Sequence, residues 1–253
     1  MGQVFSHTPQ LFGMIHILSL TVILVGNTVF SVWAKDQDED RLFILLKRIG
    51  TGMIIGEIFK QFFCFFYVFD RQINFWFFPW QLCSMAMYCS FCVSFLHEKR
   101  QNAVLVFLST FSLFAAIIAL LLPYDMLRDQ VFLTLYSFLY HGLMITVSII
   151  SLNILRKRKK AAFLPSVFLF LLMAVIAEMI NVLSHFIFHD IRREPDMFYI
   201  TPYYPTTQPV FHEIAVRYGI LTEIIIYLSS IIFISWIIFM IEKKTLLSDR
   251  HDQ

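Results

Sequence analysis

Seven apolar stretches of twenty-odd residues, at about 11–33, 49–69, 74–96, 102–123, 131–155, 162–187 and 216–241, dominate this 253-residue chain. A helix needs roughly 20 mostly apolar residues to cross the hydrocarbon core of a bilayer. Inside that core every backbone polar group must be satisfied by the protein itself, which helices do within one segment. The sequence therefore predicts an all-α polytopic membrane protein, a single domain over 1–253 with seven transmembrane helices. Composition points the same way: 58% of residues are hydrophobic and the mean hydropathy is +0.70, against about 45–50% apolar residues in soluble domains. Little chain remains for a soluble domain, and no internal repeat stands out. The first stretch does not read as a cleavable signal, because Met1 to Gln10 lacks the Lys or Arg of a positive n-region.

Orientation follows from where the basic residues fall, since Lys and Arg accumulate in cytoplasmic loops. Lys35, Arg41, Lys47, Arg48, Lys99, Arg100, Arg156 to Lys160, Lys243, Lys244 and Arg250 lie on one side, fourteen in all. Only Arg71, Arg128, Arg192, Arg193 and Arg217 lie on the other. That asymmetry predicts an N-terminus outside and a C-terminus in the cytoplasm. The formal charge of +2 gives no cue for a nucleic-acid partner.

All four cysteines, Cys64, Cys83, Cys89 and Cys92, fall inside the stretches, so no disulfide framework is expected. The Cys89–Cys92 spacing has no second pair to complete a zinc site, which wants four ligands. No metal and no cofactor is expected. Gly50, Gly52 and Gly56 give the second span a smooth strip for close helix approach. Residues 188–215 form one long outer segment rich in Pro and Tyr. Two readings stand for it: a lid over the helices, or a connector whose tyrosines sit at headgroup level.

Ionisable groups inside a membrane are costly and are normally kept where they face a cavity, a pathway or a reaction centre. Here they cluster in depth. At 1.5 Å of rise per residue, Glu57, Lys60, Cys83, His141, Glu178 and Asn181 lie roughly 9–18 Å below the predicted outer surface. Gln61, Gln81, His185 and Glu223 belong to the same half. Glu57, Lys60 and Gln61 share one helix face at i, i+3 and i+4. They form either part of a polar chamber or a buried ion pair that fixes helix packing. Glu178, Asn181 and His185 make a similar stripe, open to the same two readings. Cys83 and His141, at similar depth on different helices, are a candidate nucleophile and base. Pro79, four residues before Cys83, leaves the carbonyl of Phe75 without its helical partner and permits an opening there.

The stretch Phe78-Pro79-Trp80-Gln81-Leu82-Cys83-Ser84, preceded by Glu57-Ile-Phe-Lys60-Gln61 and followed by Tyr140-His141-Gly142 and Asn181, resembles the bacterial YwaF-like integral membrane proteins. Those look related to the transmembrane-protein-164 acyltransferases. Members typically carry Leu where this chain has Trp80. The resemblance covers roughly residues 49–240. It implies that Cys83 accepts an acyl chain and that His141 is its partner, with a membrane phospholipid as substrate and a bacterial cell membrane as location. Gln81, Asn181 or Lys60 would stabilise the oxyanion, with Glu57, Gln61 and Glu178 lining the site. The expectation is a Cys/His acyltransferase or lipid-acyl hydrolase. A small-molecule or ion transporter built on Glu57, Lys60, Glu178 and Glu223 is the alternative, followed by a ligand-binding protein without turnover.

Overall fold

The structure is a computed structural model that describes residues 4–188 and 195–248. Local signals in the sequence set the helix ends. The Asp38 carboxylate accepts the Arg41 N–H at 2.7 Å and caps α2 (Glu39–Phe63), whose first turn carries Glu39 and Asp40. Acids at a helix N-terminus complement the positive end of its dipole. The helix therefore starts ten residues before the apolar stretch that marks it in the sequence. Before it runs α1 (Met14–Lys35). After it come α3 (Met85–Cys92), α4 (Glu98–Phe107) and α5 (Leu113–Leu121). The rest are α6 (Val131–Arg158), α7 (Phe163–Phe188), α8 (Pro209–Tyr218) and α9 (Ile220–Ser248). No strand is formed among the described residues.

Five helical segments are long and apolar enough to cross a membrane: Met14–Lys35, Glu98–Leu121, Val131–Arg158, Phe163–Ile187 and Ile220–Lys244. The second and third expected spans differ from these. The α2 helix has the length, but Lys47, Arg48, Glu57 and Lys60 lie along it. The expected span 74–96 is no single helix: a short 3-10 turn at Phe75–Phe77 gives way to irregular backbone through Gln81, and helix resumes only over Leu82–Phe95. Pro79 and the positive φ of Asp70 and Arg71 account for the break. Gly219 at φ +91 similarly divides the expected span 216–241 into α8 and α9. A π-helical turn at Leu108–Ser112 joins α4 to α5, and the Ser148 hydroxyl donates to the Leu108 carbonyl there at 2.7 Å.

The α4–α5 segment and α6 form the centre, with 67% and 61% of their apolar windows buried, whereas α1 and α9 are peripheral at 6% and 17%. Water-driven association is absent between helices in lipid, so close packing and polar contacts hold them. At Gly50 the α2 backbone lies so near α3 that a Cβ would meet the Phe91 nitrogen at 2.6 Å. A column of rings crosses the bundle: Phe107 on Phe111, Phe111 on Phe163 and Phe170, and Phe170 on Phe198. Arg158, at the end of α6, bonds Glu39, Asn102 and Gln101 at 2.8–2.9 Å and ties α2 and α4 to α6. At the opposite end of α6 the N-terminal tail meets the 122–130 turn, with Phe5 N–H donating to the Asp129 carbonyl and Thr8 to the Asp129 carboxylate.

Candidate functional site

The predicted polar layer resolves into three groups joined by tyrosines. On α2 the Glu57 carboxylate takes Lys60 Nζ at 2.7 Å and the Gln61 amide at 2.7 Å, while Tyr136 on α6 donates to its other oxygen at 3.4 Å. Gln61 also donates to the Phe77 carbonyl at 2.5 Å. Lys60 lies over the Phe77 ring. The i, i+3, i+4 face thus holds an ion pair and also supplies donors to the broken stretch. Tyr88 likewise donates to the Pro79 carbonyl at 3.0 Å. Irregular backbone at membrane depth survives only where such partners replace the missing helical bonds.

The second group captures a strap, residues 195–208, that packs against α7. Asp196, Met197, Phe198, Ile200 and Thr201 are all buried. Asn181 clasps Met197 in both directions, its Oδ1 accepting the Met197 N–H at 2.7 Å and its Nδ2 donating to the Met197 carbonyl at 3.2 Å. Gln81 does the same one step along, donating to the Asp196 carbonyl and accepting from Phe198 N–H, both at 2.9 Å. Phe198 and Tyr199 sit at φ 60 and 57, backbone positions that cost side-chain-bearing residues of order 1–3 kcal/mol each. The two amide side chains, with Phe198 packed on Phe170, hold this strained turn in place. Their donors are therefore engaged with the strap. His185 stacks on Tyr203 of the same strap at 3.6 Å. Burial pushes the Asp196 carboxyl up to about 7, against the opposing pull of the Thr201 N–H.

Cys83 forms the third group, at the first turn of the helix Leu82–Phe95. First-turn N–H groups lack intrahelical partners and give this end of the helix a positive field. Tyr140 donates to the Cys83 carbonyl at 3.3 Å, and its ring lies 5.9 Å from that of Tyr136, linking the first group to the third. His141 is one residue beyond Tyr140 and turned from it: its Nδ1 bonds the Ser137 carbonyl at 2.8 Å, and no hydrogen bond joins it to Cys83 among the described residues. A carbonyl can only accept, so the Nδ1 bonded to it carries the proton, and in the neutral ring Nε2 keeps its lone pair.

Sequence reasoning gave no role to Asp196, Tyr136 or Tyr140. Tyr136 is legible in retrospect as one turn before Tyr140 on the same face of α6, whereas nothing local in the 188–215 segment marks Asp196 as buried. No group of three or more His, Cys, Asp and Glu among the described residues is placed to hold a metal ion. No protein-family model, no curated protein and no solved structure matches the chain.

Proposed function

We propose that this is a seven-span membrane protein, N-terminus outside, whose outer-half chamber transfers or hydrolyses a phospholipid acyl chain through a thioester at Cys83. The observation that carries the reading is the Cys83 thiol on the N-terminal turn of Leu82–Phe95, beside the break at Phe78–Gln81. The resemblance to the YwaF-like proteins supports it. The Cys83 sulfur attacks the ester carbonyl carbon, the carbon–oxygen bond to the lipid breaks, and the thiol proton goes to His141 Nε2 and on to the leaving alkoxide. Water or a second lipid hydroxyl then takes the acyl group and frees the thiol. Because His141 is bonded to Ser137 without substrate, it reaches the thiol only after the ring reorients; catalytic contacts often tighten on substrate binding. Two of the three donors expected from the sequence, Gln81 and Asn181, serve here as strap holders and the third, Lys60, is paired with Glu57, which leaves the first-turn N–H groups of the 82–95 helix for the oxyanion. Lipid mass spectrometry of cells with the wild-type chain, with Cys83→Ala and without the gene tests the reading. Phospholipid acyl profiles of the first should differ from the other two, which should coincide; a Cys83→Ala profile equal to wild type would refute it.

A second reading, an ion or small-molecule pathway, is favoured by one observation. The buried face of α9 carries Glu223, Ser235 and Glu242, polar groups spread along a whole span. Transport that survives Cys83→Ala but not Glu223→Gln would select it.

A further inference from the structure

Residues 122–130 connect two membrane-crossing segments, Glu98–Leu121 and Val131–Arg158, so this turn lies where hydrocarbon gives way to lipid headgroups. Leu121, Leu122 and Tyr124 carry exposed apolar side chains at that level. Arg128 is fixed within the turn. Its backbone N–H donates to the hydroxyl of the buried Thr134, and its carbonyl accepts from the same hydroxyl, both at 2.9 Å. Its Nε donates to the Asp125 carbonyl at 2.9 Å, and its guanidinium carbon stands 4.8 Å from the centre of the Phe77 ring. That ring is held in turn: Phe69 packs on it at 5.1 Å, and Gln61 donates to the Phe77 carbonyl. A guanidinium has donors on all three nitrogens. Here only Nε is bonded, and neither terminal nitrogen has a partner among the described residues. The carboxylates on either side in sequence are engaged elsewhere, Asp125 by the Tyr199 hydroxyl at 3.0 Å and Asp129 by Thr8. Lys60 lies over the same Phe77 ring at 5.9 Å, but Glu57 matches its charge at 2.7 Å. Arg128 is thus the cation on this ring that keeps no counter-charge among the described residues.

We infer that the terminal nitrogens of Arg128, stacked on Phe77, seat the phosphate of a phospholipid. The planar, two-pronged edge of a guanidinium matches a pair of oxygens on a phosphate or a carboxylate. The position of the turn between two spans decides for phosphate, the group that phospholipids present at the membrane surface. A phosphodiester brings one negative charge, which balances the one unmatched cation. Stacking and the Nε bond hold the fork in place before the ligand arrives, so little side-chain freedom is lost on binding. Dissolved phosphate offers the same oxygens, and the test separates it from the lipid. The inference rests on the membrane placement of the two segments; the thioester chemistry at Cys83 is a separate claim.

Native mass spectrometry of the full chain in a mild non-ionic detergent reads the seat as the dissociation constant of the first bound lipid. Dioleoylphosphatidylglycerol is compared with dioleoylglycerol, which has the same chains and no phosphate. The wild-type chain should bind the first at least about tenfold more tightly, the order expected of hydrogen bonds to a charged group. That arm needs no variant, so it stands even where a substitution disturbs folding, which thermal melting in the same detergent reports. Arg128→Gln should erase the difference between the two lipids, and Arg128→Lys, a point charge without the fork, should not restore it. Arg217→Gln, an exposed arginine on α8 paired with Glu213, should bind like wild type. Cys83→Ala should do so too, so the seat and the reaction fail independently. Equal wild-type binding of the two lipids, or an unchanged preference in Arg128→Gln, would overturn the seat. Full affinity in Arg128→Lys, or an equal loss in Arg217→Gln, would overturn it in favour of unspecific charge. Displacement of the lipid by excess inorganic phosphate would overturn the lipid in favour of the dissolved anion. Loss of binding in Cys83→Ala would move the lipid contact to the thiol and overturn it as well.

Discussion

Tyr140 and His141 are neighbours on α6, so their side chains leave the helix about 100° apart and only Tyr140 faces Cys83. Removing its hydroxyl in Tyr140→Phe deletes one hydrogen bond, so a loss of about 0.5–1.5 kcal/mol of stability is expected in chemical unfolding, with acylation retained. His141→Ala should instead slow single-turnover acylation of Cys83 by about 10²–10⁴, the span typical of a lost general base, while the fold is kept. Glu57 and Lys60 invite a double-mutant cycle. Breaking a buried pair from one side costs about 3–5 kcal/mol, so Glu57→Gln and Lys60→Met should each lower thermal stability, and the double variant should recover much of the loss. Additive losses would separate the two residues. The Glu57, Lys60 and Gln61 face was legible in the sequence because helical periodicity is local. Tyr140 beside Cys83 was not, because which of two adjacent side chains faces a partner depends on the rotation of α6 against its neighbours.

Helix ends show the same division between local and tertiary information. Apolar runs located the five long spans to within a few residues. The capped, charged start of α2 lay outside those runs and the Gly219 break lay within one, so apolarity alone missed both. Pro79 did mark the third span for opening, but the length of irregular backbone depends on partners far along the chain, Gln61 for Phe77 and Tyr88 for Pro79. The strap is the element least visible in the sequence: its polar loop composition hides a segment that Asn181 and Gln81 draw into the bundle. Asn181→Ala strips Met197 of both backbone partners, and a buried unpaired group costs about 1–3 kcal/mol. The expected outcome is faster limited proteolysis within 195–208 with the helices still intact; cleavage at the wild-type rate would mean that Asn181 does not hold the strap.

At the scale of the whole molecule, the N-terminal tail and the 122–130 turn share one end, whereas Arg158 and the first residues of α2 and α4 share the other. With basic residues gathered at the second end, reporter fusions after Lys160 should report the cytoplasm and fusions after Tyr124 the outside. The reverse pattern would invert the chamber. The arrangement places the irregular stretch around Pro79, a strained strap and a half-buried thiol in one region, and the account stands on what that thiol does. Intact-protein mass spectrometry of the purified chain given a phospholipid measures this most directly. The account predicts one added acyl mass, removed by hydroxylamine, mapped to Cys83 and missing from Cys83→Ala. An unmodified Cys83 in protein that turns over lipid, or an equal adduct on Cys64, Cys89 or Cys92, would contradict it.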